Sequence, residues 1–226
     1  MDQITIGDLA SYDDFEASLA SRKIKPPKKK SIKETVPFSN ITHDFSDING
    51  ETYWEERELE YTFEITADTP EELENLKRRF TSWLMGVKEQ KLHDPHIPDY
   101  HFLATYEDSD PEDDEGLDKT TLTVTFTAYP YMIANVPKVY QFTYPDIPYP
   151  YSLIVLNESD HPVPLTVRND QPITLKVGDA LTAALPIGDG TYSALKLPVG
   201  QTTLVFVQTG GPNPAQIRIS FHEEVF

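Results

Sequence analysis

The sequence predicts a mainly β protein with one helix: an N-terminal α+β domain followed by a small C-terminal β-sandwich. Three observations carry this. Leu59, Tyr61, Phe63 and Ile65 alternate with Glu58, Glu60, Thr62 and Glu64, the period of a half-buried strand. One stretch, about 70–85, shows helical spacing behind a helix start signal. Beyond residue 145, short alternating segments recur between Pro and Gly turns, as in a small sandwich.

Taken in order, Ile4-Thr5-Ile6 alternates ahead of Gly7-Asp8, so a short strand and a turn come first. Tyr12-Asp13-Asp14-Phe15 reads as a turn that delivers Phe15 to a core. Pro26-Pro27 forces an extended connector. Ser31 to Val36 can form a strand, broken by Pro37, and Asn49-Gly50 is a turn signal. Arg57 to Thr66 is the alternating strand already noted. The helix follows. Thr69 suits the N-cap, Pro70 the first helical position, and Glu72 completes a capping box. Leu73, Leu76, Phe80, Trp83 and Leu84 then make one apolar face, and Gly86 ends the helix. Val87 to Leu92, Tyr100 to Tyr106 and Thr120 to Tyr129 read as strands, the last two joined by an acidic loop from Glu107 to Gly116.

Residues 1–130 thus read as strands around one helix. Residues 131–145 are rich in Pro and Tyr and read as a linker. Residues 146–226 form the sandwich, with strands at Ser152–Leu156, Leu165–Arg168, Ile173–Val177, Tyr192–Leu197, Thr202–Gln208 and Gln216–Phe221.

Composition narrows the function. The chain has no cysteine, which removes disulfides, thiolate nucleophiles and Cys-ligated zinc, and fits synthesis in a reducing cytoplasm. No apolar run approaches the roughly 20 residues that span a bilayer, so membrane insertion is not expected. The opening residues lack the pattern of a signal peptide. The net charge is -18, and residues 1–130 carry 29 acidic against 14 basic residues. Such a surface repels phosphate, so specific nucleic-acid binding is not expected. Against that excess stands one basic run: Arg22, Lys23, Lys25, Lys28, Lys29, Lys30 and Lys33, with no acid among them. It reads as a solvated arm or as an arm that docks on an acidic neighbour. With the aromatic and charged segment at Tyr53, Trp54 and Arg57, it forms the candidate interface.

Catalytic and metal signals are weak. His93, His96 and His101 lie close together with Asp94 and Asp99, ligand types that hold divalent metals. Two prolines interrupt them and no helical i, i+4 pair exists, so no preformed metal site is expected. The acidic loop has no glycine at the sixth position of an Asp-x-Asp run, as an EF-hand requires. No nucleophile elbow, phosphate loop or dinucleotide fingerprint is present, so no enzyme, catalytic residue or cofactor is expected.

Several segments together resemble the distal tail proteins of long-tailed (siphovirus-type) bacteriophages and prophages. The best-matched are Ser11-Tyr12-Asp13-Asp14-Phe15, Val36-Pro37-Phe38-Ser39-Asn40 with Asp44-Phe45, and Tyr53-Trp54-Glu55-Glu56-Arg57. Trp83-Leu84-Met85, Leu122 to Pro130, Leu197 to Thr202, Gly210-Gly211-Pro212 and Ile217 to Phe221 follow in the same order. The resemblance implies a structural virion protein, made in the bacterial host cytoplasm and placed at the tail tip. It implies a homo-hexameric ring built by the N-terminal domain, between the tail tube protein and the tail-tip hub or tail-associated lysin. DNA would pass through that ring. The C-terminal domain, galectin-like in fold, would point outward and in many members holds receptor-binding proteins or other baseplate parts. The alternative is a carbohydrate-binding module of a tail or cell-wall-associated protein. Sugar sites often stack an aromatic ring on a pyranose, yet Trp54 and Trp83 both lie in the first half, leaving the sandwich chiefly Tyr151 and Tyr192.

Overall fold

The computed structural model describes residues 2–35, 38, 42–44, 46, 52–114, 118–144, 150–179, 181–208 and 215–226. The Asn49-Gly50 turn, Gly116, the segment Gly210-Gly211-Pro212 and most of Val36–Asn40 lie outside them. The chain divides into two compact units, Met1–Met132 with Phe226, and Ile133–Val225.

In the first unit the strands are β1 (Thr5–Ile6), β2 (Leu9–Ala10), β3 (Ser18–Ile24), β4 (Lys33–Thr35), β5 (Thr42–Asp44), β6 (Arg57–Thr66), β7 (Gln90–His93), β8 (Tyr100–Asp113) and β9 (Lys119–Ala128). The main sheet runs β2-β1-β7-β8-β9-β6-β3, while β4 and β5 pair with each other. Strand β6 behaves as its alternation predicts: Leu59, Tyr61, Phe63 and Ile65 are fully buried. Leu122, Val124 and Phe126 of β9 lie directly opposite Phe63, Tyr61 and Leu59 and are buried with them. One face of the sheet is therefore a continuous apolar surface.

Helix α2 (Pro70–Leu84) covers it. Thr69 caps its start, accepting from the Glu72 N–H at 3.2 Å, and Leu73, Leu76, Phe80 and Leu84 are the residues it buries. Phe80 meets Phe63 edge-on at 5.1 Å. A second helix, α1 (Ser11–Phe15), occupies the segment read as a turn. The Gln3 Oε1 accepts from the Tyr12 and Asp13 N–H groups, so a residue upstream caps it where no N-cap side chain does. Phe15 reaches the core as expected and stacks on Trp83 at 4.7 Å.

Two further differences from the sequence reading have physical causes. The segment Glu107–Asp113 is not loop but the end of β8. Its register against β9 continues past a bulge at Tyr106/Asp108, down to Asp113 opposite Thr120. There the Thr120 Oγ1 donates to the Glu112 carbonyl at 3.2 Å and Lys77 of α2 pairs with Asp113 at 2.7 Å. A partner strand of β-branched threonines outweighs the poor strand propensity of acidic residues. The basic run, in turn, is strand in its first half: β3 pairs with β6, Arg22 opposite Tyr61. An edge strand with exposed charges shows little apolar alternation, which is why the pattern hid it.

The second unit contains β10 (Met132–Ala134), which spans the division, then β11 (Lys138–Tyr144), β12 (Tyr151–Asn157), β13 (Val163–Asn169), β14 (Ile173–Val177), β15 (Leu181–Leu185), β16 (Gly188–Leu197), β17 (Gly200–Gln208), β18 (Ala215–Phe221) and β19 (Glu224–Val225). Two four-stranded antiparallel sheets, β11-β18-β13-β16 and β12-β17-β14-β15, share one core. Leu165, Val167, Ile217 and Ile219 supply one side, and Ile173, Leu175, Leu204 and Phe206 the other. This is a β-sandwich. Residues 138–144, expected within a linker, instead form β11 and pair along their length with β18. The Pro- and Tyr-rich composition masked this, because Val139, Tyr140, Gln141, Phe142 and Thr143 alone carry the strand signal.

Candidate interaction surface

The ten candidate interface residues fall into three groups. Arg22, Lys23 and Lys25 are held by acids of their own unit. The Arg22 Nη1 donates to Asp94 Oδ2 at 2.8 Å, Lys23 lies 3.8 Å from Glu60, and Lys25 pairs with Glu58. Asp94 is the strongest partner among these acids. Its side chain is fully buried, and it also accepts from the Tyr61 hydroxyl at 3.0 Å and the His96 N–H at 2.8 Å. Burial, then the Asp94 carboxylate, holds the Tyr61 hydroxyl well above the usual tyrosine range. The sequence places Asp94 only in a histidine cluster; its meeting with Arg22 depends on a contact 72 residues long.

Arg57 departs from the expectation of a surface contact. It is 3% exposed, its guanidinium lies 5.6 Å from the centre of the Phe102 ring, and its Nε has no hydrogen-bond partner. Burial pushes its pKa down. The alternation of β6 puts Arg57 on the same inward face as Leu59 and Tyr61, so the strand carries it inside.

Lys28, Lys29, Lys30, Tyr53 and Trp54 are brought together, with Lys33 just beyond. After Pro26-Pro27 the chain runs antiparallel to 53–55: the Glu55 N–H donates to Lys28 O and the Lys30 N–H to Tyr53 O, both at 2.8 Å, with Lys29 opposite Trp54. Trp54 packs edge-on against Phe226 at 4.7 Å, and Phe226 stacks on Tyr131 at 4.7 Å. The backbone of the arm is thus anchored while Lys28, Lys29 and Lys30 are exposed. Further along, the Ile32 N–H bonds to Ser46 Oγ at 2.9 Å, and Lys33 begins β4, opposite Asp44 of β5.

The complementary charge lies on β8. Strand β7 pairs with it only from Phe102 to Ala104, and the Tyr106 N–H still reaches Val87 O. From Asp108 to Asp113, β8 pairs with β9 and carries Asp108, Asp110 and Glu112, all exposed.

The histidines do not converge. His93 and His101 are ring neighbours at 5.5 Å, whereas His96 turns to Asp2 at 3.3 Å. Burial, then nearby Lys91, lowers the His93 pKa. Among the described residues no group of three His, Asp or Glu side chains could hold a metal, and no helix is long and apolar enough to cross a membrane.

In the second unit, cross-strand register lines up Gln141, Arg218, Arg168 and Asp189 in one row over four strands. Sequence reading missed this row. Alternation shows that Gln141, Arg168 and Arg218 face outward, but nothing in the sequence gives the register.

No protein-family model and no curated protein matches the chain. Solved structures do. The SPP1 Dit (gp 19.1) protein, described as a paradigm of the hub adsorption apparatus in Gram-positive infecting phages, matches with a TM-score of 0.69 at 13% identity, over 98% of this chain and 99% of that one. A chain of the phage P2 baseplate in its activated conformation with Ca matches with a TM-score of 0.43 at 8% identity, over 97% and 98%. The chain therefore has the fold of the SPP1 Dit protein, the fold that its resemblance to distal tail proteins implies.

Proposed function

We propose that the chain is a structural subunit of a phage tail tip, in which six copies form a ring between the tail tube protein and the tail-tip hub or tail-associated lysin. One observation carries the reading: the fold matches SPP1 Dit over 98% of this chain and 99% of that one. The motif order in the sequence supports it independently.

The charge distribution suits a ring. Closed rings need heterologous contacts, in which one surface of a copy meets a different surface of the next. The exposed Lys28, Lys29 and Lys30 and the acidic end of β8 are two such surfaces, opposite in sign. The first unit builds the ring in this reading. The second, a galectin-like sandwich, points outward and offers a place for a receptor-binding protein. An acidic lining lets DNA pass without holding it. The test is replacement of Lys28, Lys29 and Lys30 by Glu. Sixfold rings, alone or with tail partners, are expected from the parent chain and not from the triple variant, whose subunit stays folded. Rings that form equally well from the variant would contradict the role of the arm.

A further inference from the structure

We infer that the outer face of the β11-β18-β13-β16 sheet binds a hydroxylated anion: a polyol or sugar polymer bearing phosphate or carboxylate groups.

Arg168 of β13 and Arg218 of β18 are direct cross-strand partners. Both are exposed and both point away from the core, since Val167 and Ile219 beside them are buried. Like charges directly opposite on a sheet destabilise it. Elsewhere in this unit a strand cation is neutralised by acids: Lys138 pairs with Glu158 at 2.6 Å and with Glu223 at 2.5 Å. Among the described residues neither guanidinium has an ion pair or side-chain hydrogen bond. Two facing arginine forks are a preformed receptor for an oxyanion, which each can grip through paired N–H donors.

The surroundings select more than charge. The arginines line an open cavity of about 870 Å³ with Gln141, Asp170, Asp189 and Gln216 at its walls, where Asp170 Oδ1 already accepts from the Gln216 N–H at 2.7 Å. Asp189 lies opposite Arg168 in the register but pairs with neither arginine. A carboxylate here repels a bare anion and accepts hydrogen bonds from hydroxyls. Thr166 and Ser220, one further row along, add hydroxyl partners, with Thr166 Oγ1 already 2.8 Å from Thr191 Oγ1. Donors for an oxyanion beside acceptors for hydroxyls match a chain in which the two alternate. The surface lacks a tryptophan, so ring stacking on a neutral sugar contributes little.

The test uses the full chain in calorimetric titrations with four probes: a glycerol phosphate oligomer, an oligogalacturonate, neutral dextran and inorganic phosphate. One of the first two is expected to bind, weakening with salt, and whichever binds identifies phosphate or carboxylate as the anion. The double variant Arg168→Gln/Arg218→Gln is expected to lose at least about tenfold in affinity, the scale of one charge-assisted hydrogen bond. Asp189→Asn is expected to weaken the oligomer while strengthening inorganic phosphate. The single variant Arg218→Gln should unfold at the same or a higher temperature, because it relieves repulsion. Absence of binding by both anionic oligomers, equal binding of dextran, or oligomer binding unchanged in the double variant would each overturn the proposal. So would a loss of thermal stability in Arg218→Gln, which would make the arginines part of the fold.

Discussion

Asp94 concentrates the electrostatics of the first unit in one side chain. It is buried with Arg22, the Tyr61 hydroxyl and the His96 N–H as partners, so its charge is balanced only while all of them hold. Arg22→Ala should cost about 1.5–3 kcal/mol in urea unfolding, the scale of a hydrogen bond to a charged group, because Arg22 is the partly exposed counter-ion of a buried carboxylate. Tyr61→Phe should cost about 1 kcal/mol, the net worth of its hydrogen bond. Tyr61 and His93 contribute at opposite ends of the pH range of this unit. Tyr61 is raised in the folded state, so its contribution is complete below the unfolded tyrosine pKa of about 10 and is lost as pH rises further. His93 is lowered, so its contribution is complete above about pH 6.5 and is lost as pH falls. Urea midpoints measured across pH should fall at both ends. Tyr61→Phe should flatten the alkaline fall and His93→Gln the acidic one; variants that track the parent at both ends would show that other groups set the limits.

The elements differ in how openly the sequence declares them. Strand β6 and helix α2 are legible because each buries one face and caps or alternates accordingly. Leu76→Ala should cost about 2–5 kcal/mol and Thr69→Ala about 1 kcal/mol, both read by thermal or urea unfolding. Strands Ile173–Val177 and Gln216–Phe221 are legible for the same reason. What the sequence hides is whatever a neighbour imposes. Strand β3 looks like a basic arm until β6 is laid beside it, and the acidic half of β8 looks like a loop until the threonines of β9 pair with it. Strand β11 hides inside a Pro- and Tyr-rich stretch. At the candidate interface, the bridge that sets Lys28, Lys29 and Lys30 beside Tyr53 and Trp54 was hidden, because it joins segments far apart in the sequence. The inward turn of Arg57 was there to be read, since it shares the parity of Leu59 and Tyr61. The Asp94 network was not, because long-range contacts leave no local pattern.

At the scale of the whole molecule, the account rests on self-assembly through surfaces of opposite sign. Each exposed ion pair contributes only about 0–1 kcal/mol, so several must act together and added salt should weaken the assembly. The anchored backbone of the arm, bonded through Lys28, Lys30, Tyr53 and Glu55, lowers the entropy lost when the lysines dock. The most direct measurement is the solution mass of the chain, alone and with tail partners, together with negative-stain imaging. The account predicts a species of six copies seen as sixfold rings. A chain that stays monomeric at high concentration, and is absent from the tips of purified tails, would contradict it.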